Sequence, residues 1–293
     1  MHVTLLEATL AAAALIAVPA ATIGFGLQRD GVHHADTVQI GAQIIDFPVP
    51  GEFILNGNPV SSPVERVDLD AFRIARRQVS LTEYGFCVTA GACAAADAAR
   101  TEADVPVTGV SWLDANAYAR WYSEVSGDTW RLPTAVEAAA AAGERFGGEA
   151  FTAAAEDPDN PAVRWIRRYR EDAASKRPAD PDPKPRGHYG ANSIGIEDFG
   201  GNVWEWTSTC YQRVTLGPDR KAVGAIENCG VHVLEGRHRA YMSNFVRDGK
   251  SGGCAVGTPP ENLGFRLVRE ETLPVARLAN RIRALLPASR NPS

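Results

Sequence analysis

In Asp198-Phe-Gly-Gly-Asn-Val-Trp-Glu-Trp206 a Gly-Gly turn sits between two carboxylates and runs directly into an alternating segment. Successive side chains of an extended strand point to opposite faces, so Trp204 and Trp206 share one face and Glu205 takes the other. Two indoles on one face read as core anchors. The carboxylates of Asp198 and Glu205, with carbonyls that the turn leaves free to point at a shared centre, make an oxygen-only donor set that suits calcium better than zinc or copper. The same carboxylates would equally serve to cap turns or to pair with arginines. The second informative stretch is Asn262-Leu-Gly-Phe-Arg-Leu-Val268.

Between these landmarks the chain is dense in polar groups. His232, His238, Tyr241, Asn244 and Arg247 lie within sixteen residues and are candidates to line a groove. The two histidines lack an obvious third ligand, which makes hydrogen-bonded structural histidines the default and a mononuclear iron site improbable. Five cysteines form two close pairs and a singleton. Cys87 with Cys93, and Cys210 with Cys229, have spacings that suit loop-closing disulfides in an oxidising compartment; a reducing one would leave four core thiols. No Cys-x-x-Cys or His-rich cluster is present, which argues against zinc and iron-sulfur sites. Cys254 is the odd sulfur: it is a candidate reactive thiol, or else a free cysteine without chemistry.

Upstream, three segments open with one chemistry. Ser80-Leu-Thr-Glu83, Ser111-Trp-Leu-Asp114 and Thr134-Ala-Val-Glu137 each place a hydroxyl at an N-cap and a carboxylate three residues on, so each predicts a short helix. Gly91, Gly127 and Gly143 stand where those helices should stop. Trp112, Ala115, Ala119, Tyr122 and Val125 recur at helical spacing and give the second helix an apolar, core-facing stripe. Val67 to Ile74 alternates well enough to suggest one half-buried strand. Residues 28–50 read as a linker and first strand, and the domain proper as starting near Gly51.

With 293 residues and a net charge of −5, both signs interspersed, the chain is long enough for a sizeable core and has no basic stripe for nucleic acid. Ala8 to Leu27 is an apolar run of membrane-spanning length, expected to be a signal peptide or a membrane anchor. Membrane contact is expected only through it. Arg29 on its distal flank opposes export, and the paired cysteines favour it. Residues 156–187 hold Pro- and Asp-rich loops around Val163-Arg-Trp-Ile-Arg-Arg-Tyr169, a surface insertion whose sharper reading is a partner-docking face.

Taken in order, Pro106-Val-Thr-Gly-Val-Ser-Trp112, the Ala117-Tyr-Ala-Arg-Trp-Tyr122 helix, Arg131-Leu-Pro-Thr-Ala-Val-Glu137, Asp198 to Trp206 and Asn262 to Val268 resemble the formylglycine-generating, or sulfatase-modifying-factor, family. Ala138 departs from the family's tryptophan. The resemblance implies an irregular α+β fold, related in shape to C-type lectins and low in regular secondary structure. It spans residues 51–270, with residues 271–293 a tail. It implies a structural calcium held by Asp198, Gly201, Val203 and Glu205; the family's other calcium loop has no counterpart.

The family's catalytic members use two thiols to bind copper, and the matching positions here are Tyr241 and Val246. Copper-dependent formylglycine generation is therefore not expected. Phe86 to Cys93 and Glu235 to Tyr241 resemble the subgroup associated with bacterial nitrite reductases. The expectation is an exported, periplasmic or membrane-anchored accessory protein that binds or matures a partner enzyme, such as a reductase. Its rivals are an oxygen-dependent oxidase with an altered site, of the formylglycine-generating or siderophore-precursor type, and a lectin-like ligand-binding module.

Overall fold

The computed structural model describes residues 35–97, 104–148, 182–249 and 262–270. The leader at 8–27, the basic aromatic segment 163–169, Cys254 and the tail 271–293 lie outside the described residues. No helix among the described residues is long and apolar enough to cross a membrane.

Short strands open the described chain: β1 (Thr37–Ile40), β2 (Gln43–Pro48), β3 (Glu52–Leu55), β4 (Asn58–Val60), β5 (Val64–Leu69) and β6 (Phe72–Ala75). Three helices follow, α1 (Leu81–Thr89), α2 (Trp112–Ser126) and α3 (Ala135–Ala142), with β7 (Trp130–Arg131) between the last two. The second half is strand: β8 (Trp204–Leu216), β9 (Ala222–Glu235), β10 (Ala240–Ser243), β11 (Leu263–Gly264) and β12 (Val268–Arg269). The main sheet runs β10-β9-β8-β3-β4, with β11 parallel to β8; a second sheet runs β1-β6-β12-β7, and β2 pairs with β5 alone. This is the irregular α+β architecture, with few helices and mixed sheets.

All three helix starts form as their sequences dictate. Ser80, Ser111 and Thr134 accept from the backbone N–H three residues on, and Glu83, Asp114 and Glu137 reach back to the cap N–H. Gly127 ends α2 at φ 76°, in the left-handed region where a side chain would be strained. α3 is nearly all alanine, and Ala135 and Ala138 to Ala142 are buried on every side. Their small size lets the helix lie between two apolar clusters, one around Ile74 and Ile196, the other around Phe47 and Val233.

Two sequence expectations are corrected here. The described part of the 28–50 stretch, residues 35–50, contains two strands, β1 and β2, rather than one. The run Val67 to Ile74 is two strands, because Leu69 and Phe72 are both buried while Asp70 and Ala71 between them are exposed. Residues three apart cannot share a face of one strand, so the chain breaks there: β5 joins β2 and β6 joins β1.

The largest cluster gathers Tyr84, Tyr118, Tyr122, Trp130, Trp204, Trp206 and Phe265. Trp204 and Trp206 are buried on one face of β8 as the alternation requires, and the Trp206 indole N–H donates to the Val110 carbonyl at 3.0 Å. Gly236 lies against this cluster, and a Cβ there would meet the Trp204 ring at 2.6 Å.

Candidate functional site

The Gly-Gly turn is held from within the protein. Asp198 takes φ 58°, a left-handed conformation that Asp tolerates better than most residues. Its carboxylate accepts the backbone N–H groups of Gly187 and Tyr189. On the far side, Glu205 forms a two-pronged pair with Arg266, through Nε to Oε2 and Nη2 to Oε1, the latter at 2.6 Å. The Gln78 amide donates to Glu205 Oε1 at 2.8 Å and to the Asp198 carbonyl at 3.4 Å. Both side chains of the ion pair are essentially inaccessible, at 0% and 3%. A calcium ion held through both carboxylates would have to share their oxygens with a buried guanidinium and three N–H donors. The carboxylates of Asp198 and Glu205 are therefore already engaged as a turn cap and a buried ion pair, and no chemistry is routed through a cation here.

The groove expected from His232, His238, Tyr241, Asn244 and Arg247 does not form as one surface. In the antiparallel β9–β10 pair, Tyr241 lies opposite Val233 and Met242 opposite His232. Strand alternation therefore sends Tyr241 and His232 to opposite faces. Tyr241 packs with Val233 and Phe47; its hydroxyl accepts the Gly51 N–H at 2.7 Å, and its ring meets Tyr211 edge-on at 5.3 Å. Val246 instead packs against the large aromatic cluster. The two positions that correspond to family thiols thus belong to separate apolar clusters, and phenol and isopropyl groups offer copper no soft donor.

The remaining groove candidates act locally. His238 Nδ1 lies 2.8 Å from its neighbour's carbonyl at Arg239, and its ring stands edge-on to Trp204. Arg247 ties the start of α2 to the preceding loop, donating to Asp114 at 2.8 Å and Asp97 at 2.7 Å. Asn244 accepts from Leu113 and donates its N–H to Gly230, so it links α2 to β9.

His232 is the unusual member. It is 1% exposed, and its ring stacks on Trp112 with centroids 3.9 Å apart. Burial pushes its imidazole down to about 4, so it is neutral at pH 7. Nε2 lies 3.9 Å from Cys210 Sγ, and Nδ1 has no hydrogen-bond partner among the described residues. Both expected disulfides are present, Cys87–Cys93 and Cys210–Cys229. Cys210 sits opposite His232, while the next residue, Tyr211, sits opposite Asn228. This bulge takes residues 229–231 out of the β8–β9 ladder, though Val231 still pairs with Ser243 of β10, and brings Cys229 against Cys210. Sequence reasoning found both cysteines and the histidine separately but not their meeting. The signal it passed over was Cys229-Gly-Val-His232, two potential ligands three residues apart.

Comparison with known proteins places this geometry. Residues 35–271 match the sulfatase-modifying factor enzyme 1-like domain. The chain is 28% identical over 173 residues to inactive C-alpha-formylglycine-generating enzyme 2 of Mus musculus, spanning 57% of this chain and 50% of that protein. Against the formylglycine-generating enzyme of Mycobacterium tuberculosis it is 40% identical over 111 residues, 36% of this chain and 33% of the relative. Among solved structures it is similar to PvdO from Pseudomonas aeruginosa, with 18% identity and a TM-score of 0.49 over 80% of this chain and 94% of that one. The chain thus spans half or less of the length of these two curated relatives.

Proposed function

The chain belongs to the sulfatase-modifying factor enzyme 1-like family, and from that premise we propose that it is an exported accessory protein that binds or matures a partner enzyme without the family's copper oxidase chemistry. The observation that carries this reading is the fate of the thiol positions: Tyr241 is tied to Gly51 and Val246 is packed into a different cluster. Oxidation of a substrate cysteine by copper needs paired soft ligands, and neither residue supplies one. Similarity to a relative named as inactive points the same way.

Export is supported by the two disulfides, which persist in oxidising compartments and are rare in the cytosol. The partner we propose is a nitrite reductase, from the subgroup likeness carried by Phe86 to Cys93 and Glu235 to Tyr241. The helical half of that pattern ends in the Cys87–Cys93 clasp.

The test pairs two measurements on the purified full chain. A cysteine peptide derived from a sulfatase, supplied with Cu(I) and oxygen, should yield no aldehyde by mass spectrometry and no oxygen uptake. Tagged chain expressed beside the reductase should co-purify with it at a fixed stoichiometry. Aldehyde formation would restore the oxidase reading, and absence of any complex with the reductase would remove the proposed partner.

A further inference from the structure

On the other face of the sheet from Tyr241, three potential ligand atoms meet at the Cys210–Cys229 bulge, and His232 stands beside Cys210 alone among them. The sulfurs of Cys210 and Cys229 and a carboxylate oxygen of Glu227 all lie within 4.8 Å of one another. Glu227 Oε1 is 3.7 Å from Cys229 Sγ, and His232 Nε2 is 3.9 Å from Cys210 Sγ. We propose that the dithiol form of this cluster is a zinc site, with Cys210, Cys229 and His232 as ligands and Glu227 as the fourth, outer donor.

The geometry suits the ion. With Zn–S near 2.3 Å and Zn–N near 2.0 Å, a tetrahedral centre holds its sulfur and nitrogen about 3.6 Å apart, close to the separation already present. His232 is oriented before any ion arrives, because its ring is clamped on Trp112 at 3.9 Å and is 1% exposed. Its Nε2 meets only a sulfur, a weak partner for a buried imidazole nitrogen. Two thiolates, an imidazole and a carboxylate form a mixed S, N and O set, which favours zinc over Cu(I), an ion of soft donors.

Entry follows from exposure. Cys229 and Glu227 are exposed while Cys210 is half-buried. A dithiol reductant attacks Cys229 Sγ as its thiolate, the Cys210–Cys229 bond breaks, and Cys210 leaves as a thiolate that takes a proton. The reductant's second thiol then attacks the mixed disulfide and closes its own ring, freeing Cys229 as a thiol. Two electrons and two protons have passed from the dithiol to the protein. Zinc binding displaces two S–H protons to solvent, and with the Glu227 carboxylate the bis-thiolate centre carries one net negative charge. Reduction would thus convert the bulge from the disulfide, which excludes the ion, to a dithiol that takes it.

The experiment titrates Zn2+ alone into the full chain, before and after mild dithiol reduction and its removal, against a chromophoric competitor. Near-UV circular dichroism follows the fold. Expected are one ion per reduced chain, none for the disulfide form, and none for the C210S/C229S double variant. H232Q should weaken binding at least about tenfold. E227Q changes only an exposed side chain, so it folds normally and should weaken binding a few-fold. Cobalt in place of zinc should give the intense visible bands of a tetrahedral thiolate centre. Equal affinity in wild type, H232Q and E227Q would reduce the cluster to an ordinary vicinal dithiol and overturn the proposal. So would binding that survives C210S/C229S, absence of binding after reduction, or loss of the fold on reduction.

Discussion

Single residues set what this scaffold can do, and their partners decide how they read. Glu137 caps α3 and also takes two bonds from Arg131, at 2.6 and 2.7 Å. Burial pushes its carboxyl up, but the Arg131 and Thr134 donors outweigh that and hold it below the ordinary value of 4.5. A depressed carboxyl contributes stability that is fully present above the unfolded-state value and lost as pH falls through the folded one. Wild type should therefore exceed E137Q by roughly 1–2 kcal/mol in urea unfolding at pH 7, discounted because Arg131 is a third exposed. The gap should narrow as pH falls below 4.5 and through the depressed folded value; a gap that stays unchanged down to the acid-unfolding limit would show that the charge is not what stabilises the cap. Glu137 was legible because its partner Thr134 is three residues away. Glu205 was only half legible, since Arg266 and Gln78 lie 61 and 127 residues distant and nothing local marks them.

At the scale of elements, the helices were the most legible feature because their signals are local and redundant. Ser111 receives the Asp114 N–H at 3.2 Å, and its own N–H and hydroxyl reach the Asp114 carboxylate at 2.8 and 2.6 Å. Ser111→Ala should cost about 1 kcal/mol of global stability by chemical denaturation. Because Arg247 also grips Asp114, the same variant should speed hydrogen exchange at the Asn244 link as well as in the first turn of α2. Exchange that rises only inside α2 would show that the cap and the β10 exit are not coupled. Strands were harder to read. Alternation located the start of β8 but ran β5 and β6 together, and which strand pairs with which depends on long-range register. The break at Asp70 and the bulge at Cys210 follow from register, so the two-face separation of His232 from Tyr241 was not visible in the sequence.

For the molecule as a whole, Arg266 does what a structural cation would otherwise be needed for. Its guanidinium donates to the carbonyls of Arg76 and Glu197, both at 3.0 Å, pairs with Glu205, and lies over the Phe199 ring at 5.1 Å. One side chain thus joins the end of β6, the Gly-Gly turn and the start of β8, while its own backbone neighbours Phe265 and Leu267 fill the large cluster. Breaking a buried pair strands a charge, so Arg266→Met and Glu205→Gln should each destabilise by about 3–5 kcal/mol, whereas exposed pairs such as Arg213–Glu52 should cost well under about 1. Since the pair is self-sufficient, removing divalent ions with a chelator should leave the melting temperature of the wild-type disulfide form unchanged, and added calcium should not raise it. A chelator-induced fall that calcium reverses, abolished in Glu205→Gln, would mean that the ion shares the carboxylate with Arg266 and that the turn is metal-dependent after all.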